Sequence, residues 1–338
     1  MRLFLIRHGE TVHNVAGIYA GTTDSALTNH GVLQANRLGS YLAQIDVKVT
    51  HIFSSDLQRA FITAEAIREA QDPSPTETTK LEILREQDFG FYEGKQFFER
   101  PKEGNKTGKD THLEAHRNDP GFQDVESKES MKLRMETFVD NHLVQLMHAV
   151  QEEHSVVVVA HGIILSHLWR VLLKRFPAGN VGVLPGVQAA ERGFSLEYLG
   201  GWSNTGYLEL EVKPKHREDT PNGERSSTSV KAVDTHVDQS NSSVLAQDVA
   251  SSSFATVKSA ESSTEPTNMP QKPSTPPPLP VDSSPAIPTL LHMSLIVRAV
   301  NSQVHLKDLK KTRGGIGSLK HDSNQKTMDS FFKKRRLE

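Results

Sequence analysis

Over its first 212 residues the chain alternates short apolar runs with amphipathic stretches. Leu3-Phe4-Leu5-Ile6 and Val156-Val157-Val158-Val159-Ala160 are unbroken apolar runs, the pattern of strands covered on both faces. His51-Ile52-Phe53 reads as a shorter strand. Between these runs the period becomes helical. Leu27-Thr28 opens a helix that runs to about Ala43, with Leu33, Leu38 and Leu42 along one side. Asp56 is placed to cap the next helix, whose apolar positions include Ala60, Ala64 and Ile67. Lys132–Val150 reads as a long helix and Ile163–Phe176 as another. Phe194–Tyr198 and Gly206–Val212 read as two strands joined in a hairpin through Gly200-Gly201. Strands alternating with helices predict an α/β fold.

The pattern then stops. Residues 213–289 are rich in Ser, Thr, Pro, Asp and Lys, and Phe254 is their only aromatic residue. Such a composition buries too little apolar surface to offset chain entropy, so the segment is expected to be disordered. Its Pro-rich part, Lys272 to Pro280, predicts an extended spacer. Apolar alternation returns at Ser294–Val300, which reads as a strand, followed by Asn301 and His305-Leu306.

Bulk properties narrow the function classes. Hydrophobic residues make up 36 % of the 338 positions, low for a wholly globular chain. The formal net charge of −2 carries no nucleic-acid or membrane signature for the chain as a whole. There is no cysteine, which rules out disulfides, thiolate metal sites and a cysteine nucleophile. No stretch approaches the ~20 apolar residues of a membrane span, and no signal peptide precedes the first strand. The expectation is a soluble intracellular protein.

Candidate chemistry follows two of the apolar runs. Arg7-His8-Gly9-Glu10-Thr11 follows the first and His161-Gly162 follows the valine run. Taken alone, His161 reads as a core histidine and Arg59 as a solvated helix residue. Together with two further groups they form a pattern. Arg7–Thr11 with Asn14 and Gly21 is one part. Ser54-Ser55-Asp56-Leu57-Gln58-Arg59-Ala60 with Thr63-Ala64 is the second. Leu84-Arg85-Glu86 with Phe89-Gly90 and Glu93-Gly94 is the third, and His161-Gly162 the fourth. In this order and spacing the chain resembles the histidine phosphatase, or phosphoglycerate mutase-like, superfamily. The resemblance implies a three-layer α/β sandwich with a mostly parallel central sheet and a site at the strands' C-terminal ends. Members commonly end their catalytic domain with a strand and Asn-x-x-x-His-Leu, so residues 290–306 are read as the last piece of the domain begun by residues 1–212. Residues 213–289 are then an insertion within it.

The resemblance also assigns roles. His8 is the nucleophile that takes the phosphoryl group, and Glu86 the acid that protonates the leaving oxygen and then the base for water. One carboxyl serving both roles needs a raised pKa, which surroundings near Phe89 and Phe91 would supply. Arg7 and Arg59 would hold the equatorial oxygens and depress the pKa of His8. His161 is expected as a protonated donor, and Asn14, Gly21 and Gly162 on the substrate side. No metal or other cofactor is expected. The implied reaction is phosphomonoester hydrolysis, with a phosphoglycerate mutase as the alternative. One departure is Lys128-Glu129-Ser130, where the family often has Gly-Glu-Ser. Lys95–Val125, with Arg100, Lys102, Lys106 and Lys109, is expected to form a lid, and the substrate is not readable from it.

Residues 307–338 form a basic tail. From Leu306 onward there are ten Lys and Arg against four Asp and Glu. Gln325, Met328, Phe331 and Phe332 stand at the spacing Gln-x-x-Met-x-x-Phe-Phe, which resembles the peptide that binds the DNA sliding clamp, PCNA. Lys333-Lys334-Arg335-Arg336 reads as a nuclear-import signal, so nucleus and cytoplasm are the expected compartments. A clamp-bound scaffold without catalysis is the non-enzymatic alternative, and the intact His8, Arg59, Glu86 and His161 speak against it. The spacer Lys307–Asn324 is expected to be a flexible coil.

Overall fold

The computed structural model describes residues 1–74, 77–97, 114–149, 154–188, 195–215, 290–310 and 316–322. The first apolar run is β1 (Arg2–Arg7), and the valine run is β4 (Ser155–Ala160), buried along its whole length. They pair in parallel at the centre of a seven-stranded sheet. Outward on one side lie β2 (Val49–Ser55) and β3 (Thr78–Leu81), both parallel. On the other side β6 (Tyr207–Pro214) runs antiparallel to β1. Beyond it come β7 (Met293–Ser302), antiparallel to β6, and β5 (Val181–Val183), parallel to β7. The fold is α/β with a mixed sheet in which β6 alone is reversed.

Alternation along β1 explains the layers. Phe4 and Ile6 face one cluster, with Leu38, Leu42, Ala60, Ala64 and Ile67. After the short α1 (Val12–Ala16), these come from α2 (Asn29–Gln44) and α3 (Gln58–Glu69). Leu3 and Leu5 face the other cluster, with Met131, Met135 and Phe138 and with Ile164, Leu165 and Leu168. The helices there are α4 (Lys128–Phe138) and α6 (Gly162–Lys174). Between them in sequence a π-helical turn at Val139–Leu143 leads into α5 (Val144–His148). Val150, the expected end of this helix, lies outside the described residues. Among the described residues no helix is long and apolar enough to cross a membrane.

Four local expectations change. Leu33 is exposed while Gln34, Ala35, Leu38 and Leu42 face the core. Leu33 and Leu38 are five positions apart, a net rotation of about 140° at 3.6 residues per turn, so they lie on different faces. Asp56 does not cap α3; it forms a bidentate pair with Arg85. The Gln58 N–H instead meets Asp24, 3.1 and 3.2 Å away, from a separate loop. Ser195 and Tyr198 form only an isolated bridge, and Phe194 lies outside the described residues, so the expected hairpin is not made. Besides β1, the antiparallel partner of β6 is β7, from the far side of residues 216–289. Lastly, Ile316–Lys320 does not behave as free spacer. Lys320 bridges Thr28, Asn29 N–H donates to Leu319 O, and His321 N–H donates to Leu27 O.

The remaining calls on chain organisation fall outside the description. These are residues 216–289, the lid charges Arg100, Lys102, Lys106 and Lys109, and the tail residues Gln325, Met328, Phe331, Phe332 and Lys333–Arg336.

Candidate active site

The C-terminal ends of β1 and β4 place His8 and His161 side by side, with ring centroids 5.0 Å apart. Both are almost fully buried. The loop carrying His8 is fixed from several directions. His8 N–H donates to Ala160 O, Gly9 N–H to Thr63 Oγ1 on α3, and Glu10 N–H to Gln34 Oε1 on α2. The first turn of α2 packs so closely that a Cβ on Gly9 would stand 2.6 Å from Gly31 O. Only glycine fits that approach.

The His8 Nδ1 lies 2.7 Å from the Gly9 carbonyl, so it carries the proton and leaves the Nε2 lone pair for the cleft. Burial, then Arg59, then Arg7 push this imidazole well below its usual pKa, against the Gly9 carbonyl. His8 is therefore neutral at neutral pH.

His161 is arranged in the opposite sense. Arg59 Nε–H donates to its Nδ1 at 3.1 Å, so its proton sits on Nε2. That Nε2 is buried with no hydrogen-bond partner among the described residues. Burial, with Arg59 and His8 next, holds His161 well below the usual value too. The expected protonated donor is thus corrected to a neutral imidazole whose Nε2–H is available to donate.

Arg59, on the first turn of α3, is buried to 1 % exposure. Besides His161 it holds the carbonyls of Thr23, Ala20 and Gly21. Burial brings its pKa down to about 10, opposed by Glu86 and Asp24. Arg7 donates to Trp202 O at 2.5 Å, while its Nε is buried without a partner among the described residues. Asn14 Oδ1 accepts from Thr11 N–H and Asn204 Nδ2, which leaves its amide hydrogens to donate.

Glu86 is aimed by helix α6. Its Oε2 accepts Ile163 N–H at 3.0 Å and its Oε1 accepts Ile164 N–H at 2.9 Å, with Gln87 N–H also on Oε1. Arg134 secures the segment from behind, donating to the carbonyls of Ile83, Arg85 and Glu86 and pairing with Glu126. Phe89 lines the cleft beside Glu86. Phe91 does not; its ring stacks on His116 and carries Lys95 over its face.

Arg7, His8, Asn14, Arg59, Glu86, His161 and Gly162 all line one cleft of about 620 Å³. Gly21 is not among its lining residues. Its carbonyl anchors Arg59 and its N–H donates to Glu93, so it shapes the loop behind the cleft. Sequence reasoning missed the loop Trp202–Thr205. Trp202 O anchors Arg7, Asn204 Nδ2 bonds both His8 O and Asn14, and Thr205 N–H donates to Arg7 O. Asn301 and His305 support that loop: Asn301 through Ser203, and His305 Nε2 through Thr205 Oγ1 at 2.9 Å. Burial lowers the His305 pKa to about 4. No local pattern marks residues 202–205, since they act through one backbone carbonyl, one backbone N–H and one side-chain amide.

The sequence profile of the histidine phosphatase superfamily (branch 1) matches residues 3–184. The chain is similar to a broad-specificity phosphatase of Saccharomyces cerevisiae, 36 % identical over 108 residues, or 32 % of this chain and 47 % of that one. It therefore spans about half the length of that relative. It is also 31 % identical over 186 residues to a Hydrogenobacter thermophilus protein named provisionally as a phosphoserine phosphatase, covering 50 % of this chain and 83 % of that one. Among solved structures, a mycobacterial glucosyl-3-phosphoglycerate phosphatase complexed with VO3 is 25 % identical, with 62 % of this chain and 92 % of that one covered and a TM-score of 0.44. By the extent of the profile match, this chain belongs to the histidine phosphatase superfamily, branch 1.

Proposed function

We propose that this chain is a phosphatase that hydrolyses a phosphomonoester through a phosphohistidine on His8. The observation that carries the reading is the neutral His8 with its Nε2 lone pair free, in the same cleft as Arg7, His161 and Glu86. The phosphatase names of the relatives support it.

In the first step His8 Nε2 attacks phosphorus in line. The N–P bond forms as the P–O bond to the alcohol breaks, and Glu86 delivers its proton to the departing oxygen. Arg7, the Nε2–H of His161 and the Asn14 amide donate to the equatorial oxygens, where charge gathers. Arg59 acts mainly by fixing His161. In the second step water attacks phosphorus, gives its proton to Glu86 and breaks the N–P bond. Inorganic phosphate leaves and His8 is restored. The cations in this scheme are guanidinium groups, and no step requires a metal.

Brief reaction with a ³²P-labelled monoester is expected to leave acid-labile, base-stable label on the protein, absent from His8→Ala. Label retained by that variant would remove His8 as nucleophile. Phosphate exchange between phosphoglycerates that depends on a bisphosphorylated primer would instead identify a mutase.

We also infer from the tail sequence that Gln325, Met328, Phe331 and Phe332 dock on the sliding clamp, with Lys333–Arg336 directing nuclear import. The two rings would supply most of the apolar area such a peptide can bury, each about 2 kcal/mol. In a calorimetric titration, a peptide of residues 323–338 should bind the clamp. Changing both Phe331 and Phe332 to Ala should weaken it on the order of 10³-fold. Wild-type peptide that fails to bind, where a known clamp ligand saturates, overturns this part alone.

A further inference from the structure

Beyond the phosphoryl-binding floor, the cleft changes character. Away from His8 and His161, five Phe, Tyr and Trp rings contribute to its lining. Tyr19 sits between Phe89 and Phe97, with centroids 4.7 and 4.6 Å away. Phe97 lines the cleft and is 41 % exposed. Trp202 and Tyr198 also line it, Tyr198 at 68 % exposure. The Trp202 indole is fixed in place, because its N–H donates to Ser166 Oγ at 2.9 Å. A ring clamped by its N–H presents a face of set orientation.

The charge of the lining is one-sided. Among the described residues Glu86 is its only acid, against Arg7, Arg59 and Arg170. Among the described residues, Arg170 donates through its Nε to the Glu197 carbonyl at 3.4 Å. Of the polar side chains on the lining, Thr11 and Asn14 are tied to the His8 loop, Ser166 Oγ–H donates to Gly162 O while its oxygen accepts the Trp202 N–H, and His167 also faces the cleft. A polyol placed against the five rings would lose water from its hydroxyls and meet aromatic carbon. A planar ring there would gain apolar burial and the offset or edge contacts that aromatic pairs favour. The volume, about 620 Å³, lies within the range that encloses ligands much larger than phosphate.

We propose that the preferred substrate is a phosphomonoester whose body is a planar aromatic ring system, seated against Tyr19, Phe97 and Trp202, and not a polyol. The proposal rests on the reading of this cleft as a phosphoryl site. Small aryl or arylalkyl phosphates, and the base of a nucleotide, share this ring chemistry.

The test uses the full chain and two phosphonates, which bind but are not hydrolysed. Calorimetry should give benzylphosphonate an affinity on the order of tenfold above 2-hydroxyethylphosphonate. Phe97→Ala should cut the benzyl compound's affinity several-fold more than that of the hydroxyethyl compound, and Phe97→Tyr should restore the preference. Steady-state kinetics should show the same order in kcat/KM for benzyl phosphate over glycerol phosphate; both are alkyl esters, so ring binding and not leaving-group acidity is compared. Adding adenosine monophosphate and a phosphotyrosine peptide distinguishes a nucleotide from a protein source of the ring. Equal affinity for the two phosphonates, or an equal loss of both in Phe97→Ala, overturns the ring proposal and leaves the phosphatase reading standing. Failure of inorganic phosphate to displace either compound, or no binding of either, overturns the phosphoryl site and the proposal with it.

Discussion

His8 and His161 have the same side chain, the same depth of burial and nearly the same neighbours, yet they present opposite chemistry to the cleft. The difference lies at the nitrogen that faces away. A carbonyl takes the proton side of His8, so its inner nitrogen is a lone pair. A guanidinium takes the lone-pair side of His161, so its inner nitrogen is an N–H. Arg59 therefore does two things: it supplies charge, and it sets a tautomer. Lysine would keep the first and lose the second, since one ammonium cannot reach His161 Nδ1 and three loop carbonyls in the planar array a guanidinium offers. Arg59→Lys is accordingly expected to lower kcat/KM on the order of 10²-fold, close to the loss of a pre-organised donor. The ¹⁵N shifts of His161 should report mixed tautomers in the variant. A rate near wild type would show that charge alone is required. Glu86 illustrates the same dependence on what lies behind a functional group. Its oxygens are held by the first turn of α6, and the carbonyl on its far side is held by Arg134.

At the scale of elements, α3 carries Arg59 on its first turn, so whatever fixes that turn fixes the site. The fixing group is Asp24, which accepts the Gln58 N–H and stands 3.9 Å from Arg59. Asp24→Ala should cost about 1 kcal/mol in a denaturant titration, as lost caps do, and Asp24→Asn less than that. A variant as stable as wild type would show that water replaces the cap without cost. This contact also marks where sequence legibility ends. The α/β alternation, the buried runs of β1 and β4 and the apolar positions of α3 were readable, because each depends on neighbours within one or two turns. The motif residues could be grouped before their geometry was known, and Arg7, His8, Arg59, Glu86 and His161 do line one cleft. The cap of α3 could not be read, because Asp24 lies 34 residues from Gln58 while Asp56 lies beside it. Nor could the neutral state of His161, which follows from total burial beside two arginines. The loop Trp202–Thr205 was silent for another reason: a backbone carbonyl and a backbone N–H leave no trace in residue type, and a lone Asn204 does not stand out.

On the scale of the whole molecule, the sheet is completed by a strand encoded far along the chain. Pro214 at the end of β6 pairs with Met293 at the start of β7, and Lys215 N–H donates to His292 O at 2.8 Å. The chain thus leaves and re-enters the domain at adjacent points, as it would across a hairpin. The pairing matters to the cleft because β7 leads to Asn301 and His305, which support the loop holding Arg7. Closing a long loop costs entropy that grows only with the logarithm of its length, about 0.6 kcal/mol per doubling. Residues 220–285 are rich in Ser, Thr and Pro, a composition from which no packed core is expected. Replacing them with four glycine and serine residues should therefore leave the domain folded and slightly more stable, by on the order of 1–3 kcal/mol from the shorter closure. The urea midpoint should rise a little, and kcat/KM for p-nitrophenyl phosphate should match the full chain. Removing β7 as well, by ending the chain at Lys215, should unfold or inactivate it, because β6 loses one of its two partners and the site loop its supports. A shortened chain that loses stability while retaining β7 would show that residues 220–285 contribute packing to the domain, against the expectation from their composition.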